Sequence, residues 1–113
     1  MKDGQYYWIY MLRLANGSYY TGYARDLEKR VHAHRSGRGA KITRSFCPVA
    51  VAACWKLYSD KGAAMGIEAW IKNRSREAKQ TLVDHPETLR ELLLGEGREE
   101  PIEPVIPPPV ITQ

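Results

Sequence analysis

Trp8–Gly39, WIYMLRLANGSYYTGYARDLEKRVHAHRSGRG, sets two aromatic and branched segments on either side of Asn16-Gly17 and follows them with helical spacing. Trp8 to Leu14 and Tyr19 to Tyr23 read as strands, and Asn-Gly accepts the positive φ that a tight hairpin turn demands. Two registers are open. If Asn16 and Gly17 alone form the loop, Arg13 sits opposite Tyr20 and Tyr10 falls on the other face from Tyr20. If the loop is odd, with Gly17 as a left-handed bulge residue, Leu12 pairs with Tyr20 and the two tyrosines share a face.

After Gly22, Asp26 is a good N-cap, and a helical pattern runs to Ser36 and stops at Gly37, a natural C′ glycine. Leu27, Val31 and His34 fall at i, i+4 and i+7 and mark the buried stripe, with Arg30 on that same stripe at i+3. A buried unpaired charge is too costly to keep, so Arg30 should reach a partner unless its stem snorkels to water. Arg35, Arg38, Lys41 and Arg44 then recur at intervals of three in RSGRGAKITR, which has two glycines and no acid. Glycines let a backbone approach a phosphate closely, and the cations supply charge; a merely exposed basic loop is the alternative reading. The stretch is not a Walker loop, since GKS or GKT is absent.

Pro48 leads into Val49 to Tyr58, an apolar run read as a third strand and as the central one, buried on both faces. Ser59 or Asp60 can cap a helix to about Asn73, with Ala64, Ile67 and Ile71 on its core stripe. Glu68 lies beside that stripe, and two readings stand: an ion pair with Lys72 at i+4, or a carboxylate directed into the cleft of Arg30. Ser75 begins a further helix with Ala78, Leu82 and Val83 inward, and Pro86 is placed for N1 of a last short helix through Leu94. From Gly95 the composition changes to EGREEPIEPVIPPPVITQ, with five prolines in its final thirteen residues. Residues 1–94 are read as one domain and 95–113 as an extended or disordered tail, idle or available to a protein partner.

A chain of 113 residues suits one domain with a modest core. No apolar run is long enough for a membrane span, and the start MKDGQYYW lacks the apolar core of a signal peptide, so a cytoplasmic location is expected. Cys47 and Cys54 suggest neither a zinc site nor a disulfide framework. The net charge of +4 hides an asymmetry: residues 25–79 hold 13 Lys/Arg against 5 Asp/Glu, and residues 84–113 hold 2 against 7. The basic excess reads either as the footprint of a phosphate-backbone binder or as a solvated basic surface kept for solubility.

Taken together, Trp8-Ile9-Tyr10 and Tyr20-Thr21-Gly22, ten residues apart from tyrosine to tyrosine, resemble the two halves of the GIY-YIG nuclease signature. Arg30 and His34 follow the second tyrosine at the expected spacing, Glu68 lies on a helix after the third strand, and Ser36–Arg44, SGRGAKITR, is similar to the small stand-alone bacterial YhbQ-like group. The resemblance covers roughly residues 5–83. It implies an α+β fold with a small three-stranded antiparallel sheet flanked by helices, in the order β-β-α-β-α-α. It also implies a metal-dependent DNA endonuclease that hydrolyses a phosphodiester with magnesium or manganese, structure- or damage-directed in DNA repair or recombination. On this resemblance Glu68 is the metal ligand, Tyr10 and Tyr20 flank the attacking water with one acting as general base, Arg30 holds the scissile phosphate, and His34 lies near the nucleophile. Arg35, Arg38, Lys41, Arg44 and Lys72 would contact DNA that is branched, damaged or single-stranded. Two departures stand out: Trp8 replaces the first glycine, and Tyr23 stands where several members carry a lysine. The second leaves open a nucleic-acid-binding protein of the same fold with little or no catalysis.

Overall fold

A computed structural model describes residues 5–111; Met1–Gly4, which belong to the stretch read for a signal peptide, and the last two residues of the tail lie outside the described residues. The chain runs β1 (Tyr7–Leu14), β2 (Tyr19–Ala24), α1 (Leu27–Arg35), α2 (Lys41–Ser45), β3 (Pro48–Leu57), α3 (Lys61–Lys72), α4 (Arg76–Asp84), α5 (Thr88–Gly95) and β4 (Ile102–Pro104). The architecture is α+β: one antiparallel sheet in the order β2-β1-β3-β4, with helices on both faces.

Strand alternation divides the core in two. Ile9, Met11, Ala53, Trp55 and Leu57 point to one face, where Ala64, Ile67 and Ile71 of α3 cover them together with Leu82, Leu89 and Leu93. Tyr10, Leu12, Leu14, Val51 and Cys54 point to the other and meet Leu27 and Val31 of α1. Register shifts in the β1–β3 pairing, between Met11 and Leu12 and between Arg13 and Leu14, keep Leu12 opposite Val51. Each long helix begins where a cap was read: Asp26 accepts from the Lys29 N–H, Asp60 from the Ala63 N–H and Ser75 from the Ala78 N–H.

Three expectations are corrected. The tail read as disordered supplies β4, with Ile102 buried beside Leu57; the Tyr58 N–H donates to the Pro101 carbonyl at 2.8 Å and the Val105 N–H to the Cys54 carbonyl at 3.0 Å. The sheet therefore has four strands rather than three. Prolines are tolerated here because β4 is an edge strand, where missing donors leave no ladder bond unmade. Interior position is shared, since β1 lies between β2 and β3 and β3 is interior only because β4 covers its outer edge. Pro86 is not at N1 of α5; it sits in the preceding turn, where its carbonyl accepts the indole N–H of Trp55 at 2.8 Å. Among the described residues, no helix is long and apolar enough to cross a membrane.

Candidate active site

The hairpin adopts the odd register. The Leu14 N–H donates to the Ser18 carbonyl and the Gly17 N–H to the Leu14 carbonyl, both at 2.9 Å, and Gly17 has φ +84°. The loop is thus Ala15-Asn16-Gly17, a turn closed by a left-handed glycine, which L side chains rarely match. Leu12 pairs with Tyr20 and Tyr10 with Gly22. Tyr10 and Tyr20 consequently share a face, with ring centroids 6.4 Å apart.

Gly22 leaves the space that Tyr10 uses. A Cβ on Gly22 would overlap the Tyr10 hydroxyl and lie 2.6 Å from Cζ, so the ring crosses β2 only because residue 22 has no side chain. Beyond β2 the Tyr10 hydroxyl meets His34 Nε2 at 3.0 Å, and His34 Nδ1 meets the Thr43 hydroxyl at 2.9 Å. Thr43 in turn donates to the Ala40 carbonyl at 2.8 Å. Tyr20 is close as well, with ring centroids 4.9 Å from His34.

Tyr10 and Tyr20 border a cleft of about 360 Å³ lined also by Tyr7 and Tyr23, by Arg25, Arg30 and Lys61, and by Glu68 as its one carboxylate. A larger groove of about 910 Å³ lies between α1 and the tail but contains none of the tyrosines of this cleft. Glu68 fulfils both of its readings: it borders the cleft and sits 3.7 Å from Lys72 Nζ, its carboxylate mostly shielded from water. Lys72 also stands 5.6 Å from the Tyr20 ring centroid.

Arg30 requires a correction. It is exposed rather than buried on the α1 stripe, and among the described residues it makes no ion pair. At i+3 from Leu27 it occupies the margin of a short helix, and that margin is the rim of the cleft. Its charge nevertheless acts on its neighbours. Burial raises the Tyr10 hydroxyl above its ordinary pKa, Tyr20 and Glu68 push it further, and Arg30 opposes them. Tyr20 is raised by burial and Glu68 against the same opposing Arg30. His34 is lowered, first by burial and then by Arg30. Near neutral pH the cleft therefore presents protonated tyrosines beside a neutral imidazole.

The basic stretch divides. Arg35 donates to the Pro48 carbonyl at 2.9 Å and ties α1 to the start of β3. Arg38, Lys41 and Arg44 are exposed, and the last two belong to α2, a helix that sequence reading took for a loop. Its N-cap, Ala40, offers no side-chain oxygen, so the usual start signal is missing. Other members of the site also escaped the sequence reading. Thr43 lies nine residues from His34, and Arg25, Tyr7 and Lys61 come from three separate segments. Arg25 stacks over Tyr7 at 4.4 Å, and Tyr7 packs edge-on to Tyr23.

A single carboxylate among hydroxyls suits a hydrated divalent cation of the magnesium type, which keeps most of its waters, and would not make a thiolate or imidazole site. Among the described residues there is no group of three or more His, Cys, Asp or Glu side chains able to hold a metal. Of the residues lining the cleft, Glu68 is the one carboxylate that could hold such an ion.

Comparison with known proteins finds similar chains. UPF0213 protein BH0048 of Halalkalibacterium halodurans is 40% identical over 77 residues, 68% of this chain and 81% of that protein. A UPF0213 protein of Haloquadratum walsbyi is 38% identical over 79 residues, 70% of this chain and 88% of that protein. The solution NMR structure of UPF0213 protein BH0048 from Bacillus halodurans covers 70% of this chain and 83% of that one at 39% identity, with a TM-score of 0.42. The GIY-YIG catalytic domain family matches residues 6–81, which include both tyrosines, Arg30, His34, Thr43 and Glu68. The chain belongs to the GIY-YIG family of nuclease-type catalytic domains.

Proposed function

We propose that the protein is a cytoplasmic DNA endonuclease that hydrolyses phosphodiester bonds with the help of one divalent cation held by Glu68. The observation that carries this reading is the meeting of Tyr10, Tyr20, Arg30 and Glu68 at one cleft, with His34 bonded to the first tyrosine. A phosphodiester resists attack because it is anionic; Arg30 at the rim neutralises a non-bridging oxygen, and Arg38, Lys41, Arg44 and Lys72 hold the flanking backbone. A magnesium or manganese ion on Glu68, when bound, adds charge neutralisation and eases deprotonation of water.

The remaining difficulty is the base. Forming a tyrosinate at pH 7 from a hydroxyl of ordinary pKa about 10 costs roughly 4 kcal/mol, and burial makes Tyr10 worse. The hydrogen bond to His34 removes that difficulty. As water attacks phosphorus, its proton passes to the Tyr10 oxygen while the Tyr10 proton passes to His34 Nε2. Tyrosine ends neutral and His34 ends as imidazolium. The new bond joins water oxygen to phosphorus, the ester bond opposite it breaks, and the departing oxygen takes a proton from solvent. Tyr20, half-buried across the cleft, orients the water.

Nicking of supercoiled plasmid at low salt with magnesium or manganese tests this reading, using wild type beside folded Glu68→Ala and Tyr20→Phe. Metal-dependent nicking lost in both variants is expected; nicking that survives both would reject the site. A second reading, a nucleic-acid binder with little catalysis, draws on Tyr23, which lines the cleft at the position where the family resemblance leads one to expect a lysine. Lys61 and Arg25 bring cations to the same cleft, which favours the first reading. Substrates with branched, damaged or single-stranded DNA separate the two if plasmid is not cut.

A further inference from the structure

The polar bonds behind Tyr10 have a direction, and one hydroxyl sets it. Thr43 carries a single hydroxyl proton, which goes to the Ala40 carbonyl at 2.8 Å. At His34 the Thr43 oxygen can then only accept, so Nδ1, at 2.9 Å, bears the hydrogen. A neutral imidazole protonated on Nδ1 has its lone pair on Nε2. That nitrogen lies 3.0 Å from the Tyr10 hydroxyl, which must donate. Reversing the tautomer would let the Tyr10 hydroxyl turn and accept, but it would set the Nδ1 lone pair against the Thr43 oxygen, and Thr43 could donate there only by abandoning the Ala40 carbonyl.

The surroundings enforce this arrangement. His34 and Thr43 are each 2% exposed, so water does not substitute for the missing partner. Gly39 closes the ring's other side: a Cβ there would overlap His34 Nδ1 and lie 2.7 Å from Cγ. The segment between α1 and β3 thus presses a bare backbone and one hydroxyl against the imidazole.

We propose that Thr43 is a positioning residue of the active site: anchored by the Ala40 carbonyl, its hydroxyl fixes His34 as the Nδ1–H tautomer and so keeps Nε2 as the acceptor for the Tyr10 proton. Its catalytic consequence rests on the proton relay proposed above; the tautomer itself does not. Substitution by serine preserves the donor and acceptor, whereas valine preserves shape and removes both.

The test is a long-range ¹H–¹⁵N correlation spectrum of histidine-labelled protein above pH 7.5, recorded for wild type, Thr43→Ser and Thr43→Val, with plasmid nicking measured on the same samples. Wild type and Thr43→Ser should show His34 protonated on Nδ1, and Thr43→Val should lose that pattern. Nicking should fall about 10- to 100-fold in Thr43→Val and return in Thr43→Ser, the range found when a group that orients an active-site ligand is removed. An Nε2–H signature for His34 in wild type overturns the proposal even if the valine variant does not fold. So does an unchanged Nδ1–H tautomer in Thr43→Val, or a valine variant that nicks at the wild-type rate. If no sample nicks DNA, the endonuclease reading fails on its own and the spectra still decide the tautomer.

Discussion

Tyr10 and Gly22 are direct cross-strand partners, and the tyrosine ring fills the volume that any side chain at position 22 would occupy. Gly22→Ala should therefore displace the ring from His34 rather than merely stiffen β2. Overpacking of this kind costs about 1–3 kcal/mol. Denaturant unfolding should show that loss, and nicking should fall further than in a surface variant of equal stability.

The two tyrosines should separate by stability. Tyr10→Phe leaves His34 Nε2 buried without its donor, a loss of about 1–3 kcal/mol. Tyr20 has no hydroxyl partner among the described residues, so Tyr20→Phe should unfold within about 0.5 kcal/mol of wild type. Both should reduce nicking. Equal and small stability changes in the two variants would argue against the Tyr10–His34 bond.

Acid should act through His34. Its folded pKa lies below the ordinary value, so the unfolded chain binds more protons in the window between the two. Stability from this group is complete above about pH 6.5 and falls as pH drops toward the folded value. The nicking rate should fall on the same limb, because an imidazolium cannot take the Tyr10 proton. Tyr10 and Tyr20 reverse the sign: their raised pKa values make stability decline as pH climbs above about 10. Urea unfolding across pH, with His34→Gln flattening the acid limb, checks the first half.

Charge substitutions should divide the basic segment. Arg38→Ala, Lys41→Ala or Arg44→Ala should weaken DNA binding and reduce the magnitude of its log–log salt slope by up to about 0.9 per lost duplex phosphate contact. Glu68→Gln should spare binding while removing metal-dependent nicking. Arg35→Ala should cost stability instead, because its guanidinium serves the Pro48 carbonyl. Binding isotherms at several salt concentrations distinguish these outcomes.

The tail offers a separate prediction. Ile102→Ala should cost about 2–5 kcal/mol, the range for emptying a buried isoleucine site, even though the residue lies beyond the segment matched by the family. Removing residues 99–113 should also uncover the outer edge of β3 and promote self-association. Light scattering of the truncated chain at rising concentration would reveal it.

The elements that were legible from sequence carry strong local chemistry. Asp26, Asp60 and Ser75 are caps whose side chains accept the expected N–H groups, but the apolar run of β3 does not assign its own faces, since Val51 and Ala53, two residues apart, lie on opposite sides of the sheet. Tyr10, Tyr20, His34 and Glu68 were candidates through their resemblance to the family signature. Their meeting was not legible, because Asn16-Gly17 permits two turn lengths and local propensity does not choose between them. Arg30 was misread because a helical stripe has margins, and at i+3 a long side chain can leave the core for the rim. β4 was hidden by its prolines, since three residues of edge pairing leave little trace in composition. Thr43 was hidden because its role depends on α2 folding back over His34, a contact that no periodicity announces.

The loop Ala15-Asn16-Gly17 has a consequence at the level of the gene. Losing a single codon there would still leave a hairpin able to form, with Asn-Gly available for a two-residue turn. Leu14 and Ser18 would flank that shorter turn, so Leu12 would still pair with Tyr20 and the two tyrosines would keep one face. Loss of Ala15 should therefore be tolerated, whereas substitution of Gly17, whose φ is +84°, should be costly. A deletion scan set beside a substitution scan would display that contrast: in this turn the glycine matters more than the count of residues.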